Sequence, residues 1–122
     1  MAIFVVQEHN ASHLHWDFRL ELEGVLKSWA VPKEPPKTAG TKRLAIQVDD
    51  HDLGYASFEG RIPKGQYGAG TVKIWDRGNY AMKEKDKDSL VFELKGKKLK
   101  GSYCLLKFKK AGAKNWLFFK VK

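Results

Sequence analysis

Cysteine occurs once in the 122 residues, at Cys104. An internal disulfide and a multi-thiolate metal site are thereby excluded, and the surrounding run YCLL suits a buried, inert thiol. Long apolar runs are missing too, since none approaches the roughly 18 to 20 residues that cross a bilayer. The opening MAIFVVQEHN has no basic leader and no small-residue cleavage site, so no secretory signal is expected. The chain is expected to be soluble and cytoplasmic, with no membrane partner. No 11-residue window repeats its apolar residues at a spacing of 3.6, which argues against an α-helical fold. Proline is scarce and clustered: Pro32, Pro35 and Pro36 fall in the stretch PKEPPKTAGTK, Pro32 to Lys42, which cannot sit inside a sheet and reads as a surface loop.

Acidic residues run short in one region only. From Met1 to Met82 there are 10 basic and 10 acidic residues, whereas Lys83 to Lys122 hold 13 basic and 4 acidic ones, so the whole net charge of +9 sits in the last third. A polyanion such as DNA is the natural partner for such a segment, because each neutralised phosphate releases counterions. The competing reading is a lysine-rich solvated surface.

Short alternating runs of Val, Ile, Phe, Trp and Leu, separated by turn residues, make up most of the chain. They predict strands over IFVVQE, HWDFRLELEG, VLKSWAVP, RLAIQVDD, ASFEGRI, TVKIWDRG, LVFELKG, LKGSYCLLKF and NWLFFKVK. So many strands in one domain-sized chain, residues 1–122, favour an all-β, closed or nearly closed antiparallel barrel, since closure removes vulnerable edges. LELEGVLKSW reads as a hairpin turning near Glu23 and Gly24. IPKGQYGAG, Ile62 to Gly70, reads as a second loop, and KEKDKD, Lys83 to Asp88, as a solvated turn. Trp75 and Trp116 are expected in the core, base stacking being the less favoured alternative.

Within HWDFRLELEG, alternation puts Trp16, Phe18, Leu20 and Leu22 on one face and His15, Asp17 and Arg19 on the other. The polar row offers a nitrogen ligand, an anionic oxygen ligand and a fixed cation. Two histidines and a carboxylate suit a divalent transition metal such as Mn or Zn and leave positions open for substrate. The second histidine is either His13, in phase with His15, or His9, reached through a turn at Asn10 to Ser12. Arg19 adds meaning to the row, because a guanidinium beside a metal serves to hold a phosphate. An HxH pair in a β-rich chain also resembles the cupin metal sites, with Glu21 and His51 as poor substitutes for the remaining ligands.

Farther on, DDHDLGY supplies Asp49, Asp50, His51, Asp52 and Tyr55 at a strand end, where a histidine can act as a phosphate donor or general acid. The glycine-rich GQYGAG lacks the Lys-Ser/Thr ending of a P-loop and reads as turn geometry. No Ser-His-Asp or Cys-His arrangement can be placed from spacing.

These residues together resemble the 3′-phosphoesterase domain of bacterial DNA ligase D and its stand-alone archaeal relatives. The resemblance rests on VQEHNASHLHWDFRLELEGVLKSWAVPKEP, on RLAIQVDDHDLGYASFEGRIPKGQYGAGTVKIWDRG and, more loosely, on LKGSYCLLKF and NWLFFKVK. Its motifs are H-x5-H-x-D-x-R, His9 to Arg19, and DH-x3-Y, Asp50 to Tyr55. It implies a small β-barrel with a polar active-site groove, and a hydrolase using Mn, or another divalent metal such as Co or Zn, to heal DNA 3′ ends. Members of that family remove a terminal ribonucleoside and then the 3′-phosphate, and work beside a ligase and a polymerase in non-homologous end joining.

By position, the resemblance implies His9, His15 and Asp17 as metal ligands, which makes His13 a bystander. It implies Arg19 and His51 as phosphate-binding and catalytic residues, with Tyr55 beside them, and places Gln7, Glu21, Lys33 and Arg43 at active-site positions. Asp49 stands where the family commonly carries Glu. The extension that precedes the barrel in many members, and is tied to ribonucleoside removal, is expected to be missing, so the resemblance is taken to imply the phosphatase activity first. Lys97, Lys98 and Lys100 are expected on the DNA backbone. A non-catalytic nucleic-acid-binding barrel and a cupin-like metalloprotein are the alternatives.

Overall fold

The alternating runs become nine strands: β1 (Ala2–Asn10), β2 (Leu14–Leu22), β3 (Val25–Val31), β4 (Lys42–His51), β5 (Gly60–Ile62), β6 (Gly70–Asp86), β7 (Ser89–Lys95), β8 (Lys100–Lys107) and β9 (Asn115–Lys120). The computed structural model describes residues 2–121, and among these the only helical pieces are two 3₁₀ turns, Leu53–Ser57 and Lys109–Ala111. Neighbouring strands pair antiparallel in the order β1-β2-β3-β4-β9-β8-β7-β6, and β6 pairs back onto β1. Eight strands thus close a barrel, and β5 adds a three-residue strand to the start of β6. The all-β closed barrel expected from the sequence is the fold observed.

The inward phase of each strand fills the barrel. Phe4 and Val6, Phe18 and Leu20, Trp29 and Val31, Phe92 and Leu94, Tyr103 and Leu105, Trp116 and Phe118 form one buried cluster. Phe18 is its centre, with ring centroids 4.5 Å from Phe118 and 5.8 Å from Phe92. Each such side chain contributes about 1.5–3 kcal/mol on burial. Trp116 takes the expected core place and Trp75 packs against the cluster. Cys104 is buried, and burial pushes its thiol pKa up, in keeping with an inert residue.

The Glu23–Gly24 turn has φ of 56° and 82°, the pair of positive values that matches a two-residue hairpin to the twist of its strands. Two expected elements differ. Lys83–Asp88 is not a turn throughout: β6 runs on to Asp86 because Glu84, Lys85 and Asp86 pair with Val91, Leu90 and Ser89 of β7. Only Lys87 and Asp88 turn, and solvation of the side chains there does not prevent backbone pairing. The segment ASFEGRI is strand only at Gly60–Ile62. Its first two residues, Ala56 and Ser57, end the Leu53–Ser57 turn, whose Tyr55 carbonyl accepts from Gln7 Nε2 and from Phe58 N–H instead of joining a ladder.

Candidate metal centre

The site lies on the outer face of the barrel, in the phase opposite to the core. Register builds it directly: His9 of β1 faces His15 of β2, Gln7 faces Asp17, and Arg19 lies between Val5 and Ser28 of the flanking strands. An outward face would ordinarily be solvated. Here Gln7, His9, Asp17, Arg19 and Ser28 are all buried, because the segment between β4 and β6 folds back over them.

Gln7 fastens that cover. Its Nε2 donates to the carbonyls of Tyr55 (2.8 Å) and Phe58 (3.2 Å), and its Oε1 accepts from Arg19 Nε at 2.6 Å. Arg19 Nη1 donates to Ser28 Oγ at 2.8 Å, and Nη2 stands 3.4 Å from Asp17 Oδ2. The guanidinium carbon sits 5.0 Å from the Tyr55 ring centroid, and Tyr55 stacks between His51 (4.5 Å) and Phe58 (5.1 Å). Buried polar groups are costly unless paired, and this set meets that demand by mutual bonding.

The two imidazoles are oriented through backbone carbonyls. His9 Nε2 lies 2.6 Å from Gly68 O and His15 Nδ1 lies 3.1 Å from His13 O. A carbonyl only accepts, so each of these nitrogens carries the proton, leaving His9 Nδ1 and His15 Nε2 with free lone pairs in the neutral rings. Both lone pairs face Asp17: His9 Nδ1 is 3.5 Å from Oδ2 and His15 Nε2 is 3.4 Å from Oδ1. One donor atom from each of the three residues lies within 4.8 Å of the other two. Two imidazole nitrogens and a carboxylate, each imidazole held by a carbonyl on its far side, fit a divalent transition metal.

Charge coupling accords with this grouping. Burial alone would raise the Asp17 carboxyl, but the His15 hydrogen bond and the Arg19 charge outweigh it and hold the group below its usual range. A proton taken up at His15 Nε2 would turn that contact into a hydrogen bond to Asp17, which raises His15. Burial, with Arg19 beside it, lowers His51, which favours a neutral imidazole in the free protein. Burial raises the Tyr55 phenol.

A cleft of about 660 Å³ opens onto these groups, lined among others by His9, His15, Asp17, Arg19, Asp49, His51, Tyr55, Ile62, Tyr67 and Gly68. Seven of the residues singled out in the sequence (His9, His15, Asp17, Arg19, Asp49, His51 and Tyr55) therefore line one cleft. Gln7 stands behind it and positions Arg19. His13 is exposed and meets the site through its carbonyl alone. Glu21 is not brought in: its Oε1 accepts from Ile3 N–H at 2.9 Å and it lines a different depression, with Ala2 and Tyr80. Lys33 is exposed in the loop after β3, and Arg43 donates to Glu34 O at 2.8 Å, neither on the cleft wall. Lys97 and Lys98 sit in the β7–β8 turn, their N–H groups bound by the buried Asp76 carboxylate (2.9 and 3.0 Å), with Lys98 Nζ 4.5 Å from the Trp75 ring centroid. Lys100 opens β8.

Ser28, Gly68 and Tyr67 belong to the site and were not singled out by the sequence. Ser28 alone left a signal, as a small hydroxyl between Leu26 and Ala30 in an otherwise apolar phase of β3, in register with Arg19.

A family model described as the DNA ligase D 3′-phosphoesterase domain matches residues 7–107. The chain is 50% identical over 125 residues to the multifunctional non-homologous end joining protein LigD of Pseudomonas aeruginosa, a match covering 98% of the chain and 15% of that protein. It is 45% identical over 123 residues to the multifunctional non-homologous end joining DNA repair protein LigD of Mycobacterium tuberculosis, covering 98% and 16%. The counterpart of Mycolicibacterium smegmatis is 44% identical over 130 residues, covering 98% and 17%. The chain spans about a sixth of the length of these curated relatives.

Proposed function

The chain belongs to the DNA ligase D 3′-phosphoesterase domain family, and from that premise we propose that it is a metal-dependent phosphoesterase that removes a 3′-phosphate from DNA, and a 3′-terminal ribonucleoside before it, to leave a 3′-hydroxyl. The observation that carries the reading is the convergence of His9, His15 and Asp17 donors within 4.8 Å, beside a buried guanidinium on the wall of an open cleft. A structural metal has no use for that cation, whereas a phosphate does.

His9 Nδ1, His15 Nε2 and a carboxylate oxygen of Asp17 would hold the ion, Mn in first place and Co or Zn as alternatives. A divalent ion held there supplies Lewis acidity toward a phosphoryl oxygen. Arg19 neutralises charge that develops on the phosphoryl oxygens, and it is preorganised for this because Gln7 and Ser28 fix its plane. His51, neutral in the free protein, takes up a proton as the phosphate dianion arrives and donates a hydrogen bond to it. Tyr55 holds His51 and Arg19 in place by stacking. The lysines of the last third, Lys97, Lys98 and Lys100 among them, contact the DNA backbone. A ligase and a polymerase would act on the healed end.

Incubating the protein with a labelled duplex primer ending in a 3′-phosphate or a single ribonucleotide, with and without Mn, tests the reading. Phosphate release that requires metal supports it; DNA binding without release would favour a non-catalytic barrel.

A further inference from the structure

Residues 63–69 form an arch between β5 and β6 that is held at three points. Gln66 N–H donates to Pro63 O (3.3 Å), Ala69 N–H donates to Gln66 O (3.1 Å), and Gly68 O accepts from His9 Nε2 (2.6 Å). Gly68 has φ +79°, and a Cβ there would meet His9 Cε1 at 3.3 Å, so the arch lies directly against a metal-site imidazole. The large side chain it presents is Tyr67, which is 100% exposed and, among the described residues, has no hydrogen bond or ring contact. A lone exposed aromatic is ordinary on a protein surface. This one differs in its place: it lines the mouth of the cleft that holds His15 and Arg19, next to the apolar Ile62.

The cleft thus has two chemically different walls. Arg19 and His51 suit a phosphate, and the planes they could offer to a flat ring are already engaged with Tyr55, whose own ring is stacked between His51 and Phe58. A nucleotide has both parts, and seating its phosphate against Arg19 leaves the attached nucleoside to project toward the mouth. We infer that Tyr67, with Ile62, is the platform on which the base of the 3′-terminal nucleotide stacks. The inference rests on the reading of the site as a 3′-end phosphoesterase and adds what that site recognises beyond phosphate. Stacking on a phenol is tolerant of sequence, because every base has a π-face, and its loss costs on the order of tenfold or more in affinity per base.

The test compares two 3′-phosphorylated oligonucleotides, one with a normal terminal nucleotide and one with an abasic residue there. Binding is measured by fluorescence anisotropy and phosphate release by KM and kcat, with Mn present throughout. Wild type should bind the base-bearing end about tenfold more tightly than the abasic end. Tyr67→Ala should lose that preference, as a rise in KM confined to the base-bearing end, and Tyr67→Trp should keep it. A preference that survives in Tyr67→Ala, or its absence in wild type, would overturn the inference. If wild type releases phosphate from neither oligonucleotide, the phosphoesterase reading fails, while the binding preference still decides the role of Tyr67.

Discussion

Phe18 and Leu20 point inward from β2 and are wholly buried, while Asp17 and Arg19 point outward from the same strand and are only 7% and 3% exposed. The two faces reach burial by different routes. Barrel closure encloses the inner face, where apolar surface leaves water and every neighbour is a hydrocarbon or ring. The outer face is covered by a separate segment, residues 52–69, which Gln7 and His9 tie down through the carbonyls of Tyr55, Phe58 and Gly68. On that face each polar group is satisfied by another polar group. The same strand therefore holds the fold together with one phase and presents chemistry with the other, and substitutions on the two faces should fail in different ways.

Phe18→Ala should have the largest effect on the inner face. Removing the ring at the centre of the aromatic cluster should lower folding stability by about 3–5 kcal/mol, read as a fall in the urea midpoint. Arg19→Lys addresses the outer face. Lysine keeps the charge beside Asp17 but cannot donate to Gln7 and Ser28 while presenting a fork to phosphate. Single-turnover phosphate release should fall on the order of a hundredfold, with Mn affinity little changed. A wild-type rate in Arg19→Lys would mean that charge alone suffices, and metal loss without unfolding would mean that Arg19 serves Asp17 instead of substrate.

A smaller effect concerns pH. Burial pushes the phenols of Tyr80 and Tyr103 up to about 12, and both donate to backbone carbonyls, of Glu21 and Pro36 respectively. Their folded values lie above the ordinary tyrosine value, so the native state holds protons that the unfolded chain releases first. This contribution is complete below about pH 10 and is lost as pH rises toward about 12. Melting temperature should decline over that interval, and Tyr103→Phe should flatten the decline. An identical slope in the variant would remove Tyr103 from the account.

The inner face of β2 was legible in the sequence because a period of two is a local property. The polar row was legible for the same reason, His15, Asp17 and Arg19 being consecutive members of one phase. Glu21 shares that phase, yet lies two residues beyond Arg19, past the cover, and binds Ile3 instead. The burial of the row was not legible, because the covering residues come 48 to 59 positions after those they contact. The choice of His9 over His13 was open on spacing alone and came only through family resemblance. The geometry supports it through the direct register of His9 with His15. Lys33 and Arg43 mark the opposite limit, since their positions in the sequence do not carry them to the cleft wall.

The assignment of the metal ligands is the claim on which the outer face depends, and titration of Mn into the metal-free protein and its histidine variants tests it most directly. Wild type should bind one equivalent, and His9→Ala and His15→Ala should each lose that binding while remaining folded. His13→Ala should bind as wild type does, because His13 acts on His15 through its main-chain carbonyl, which alanine retains. Loss of binding in His13→Ala to the same degree as in the other two would contradict the site.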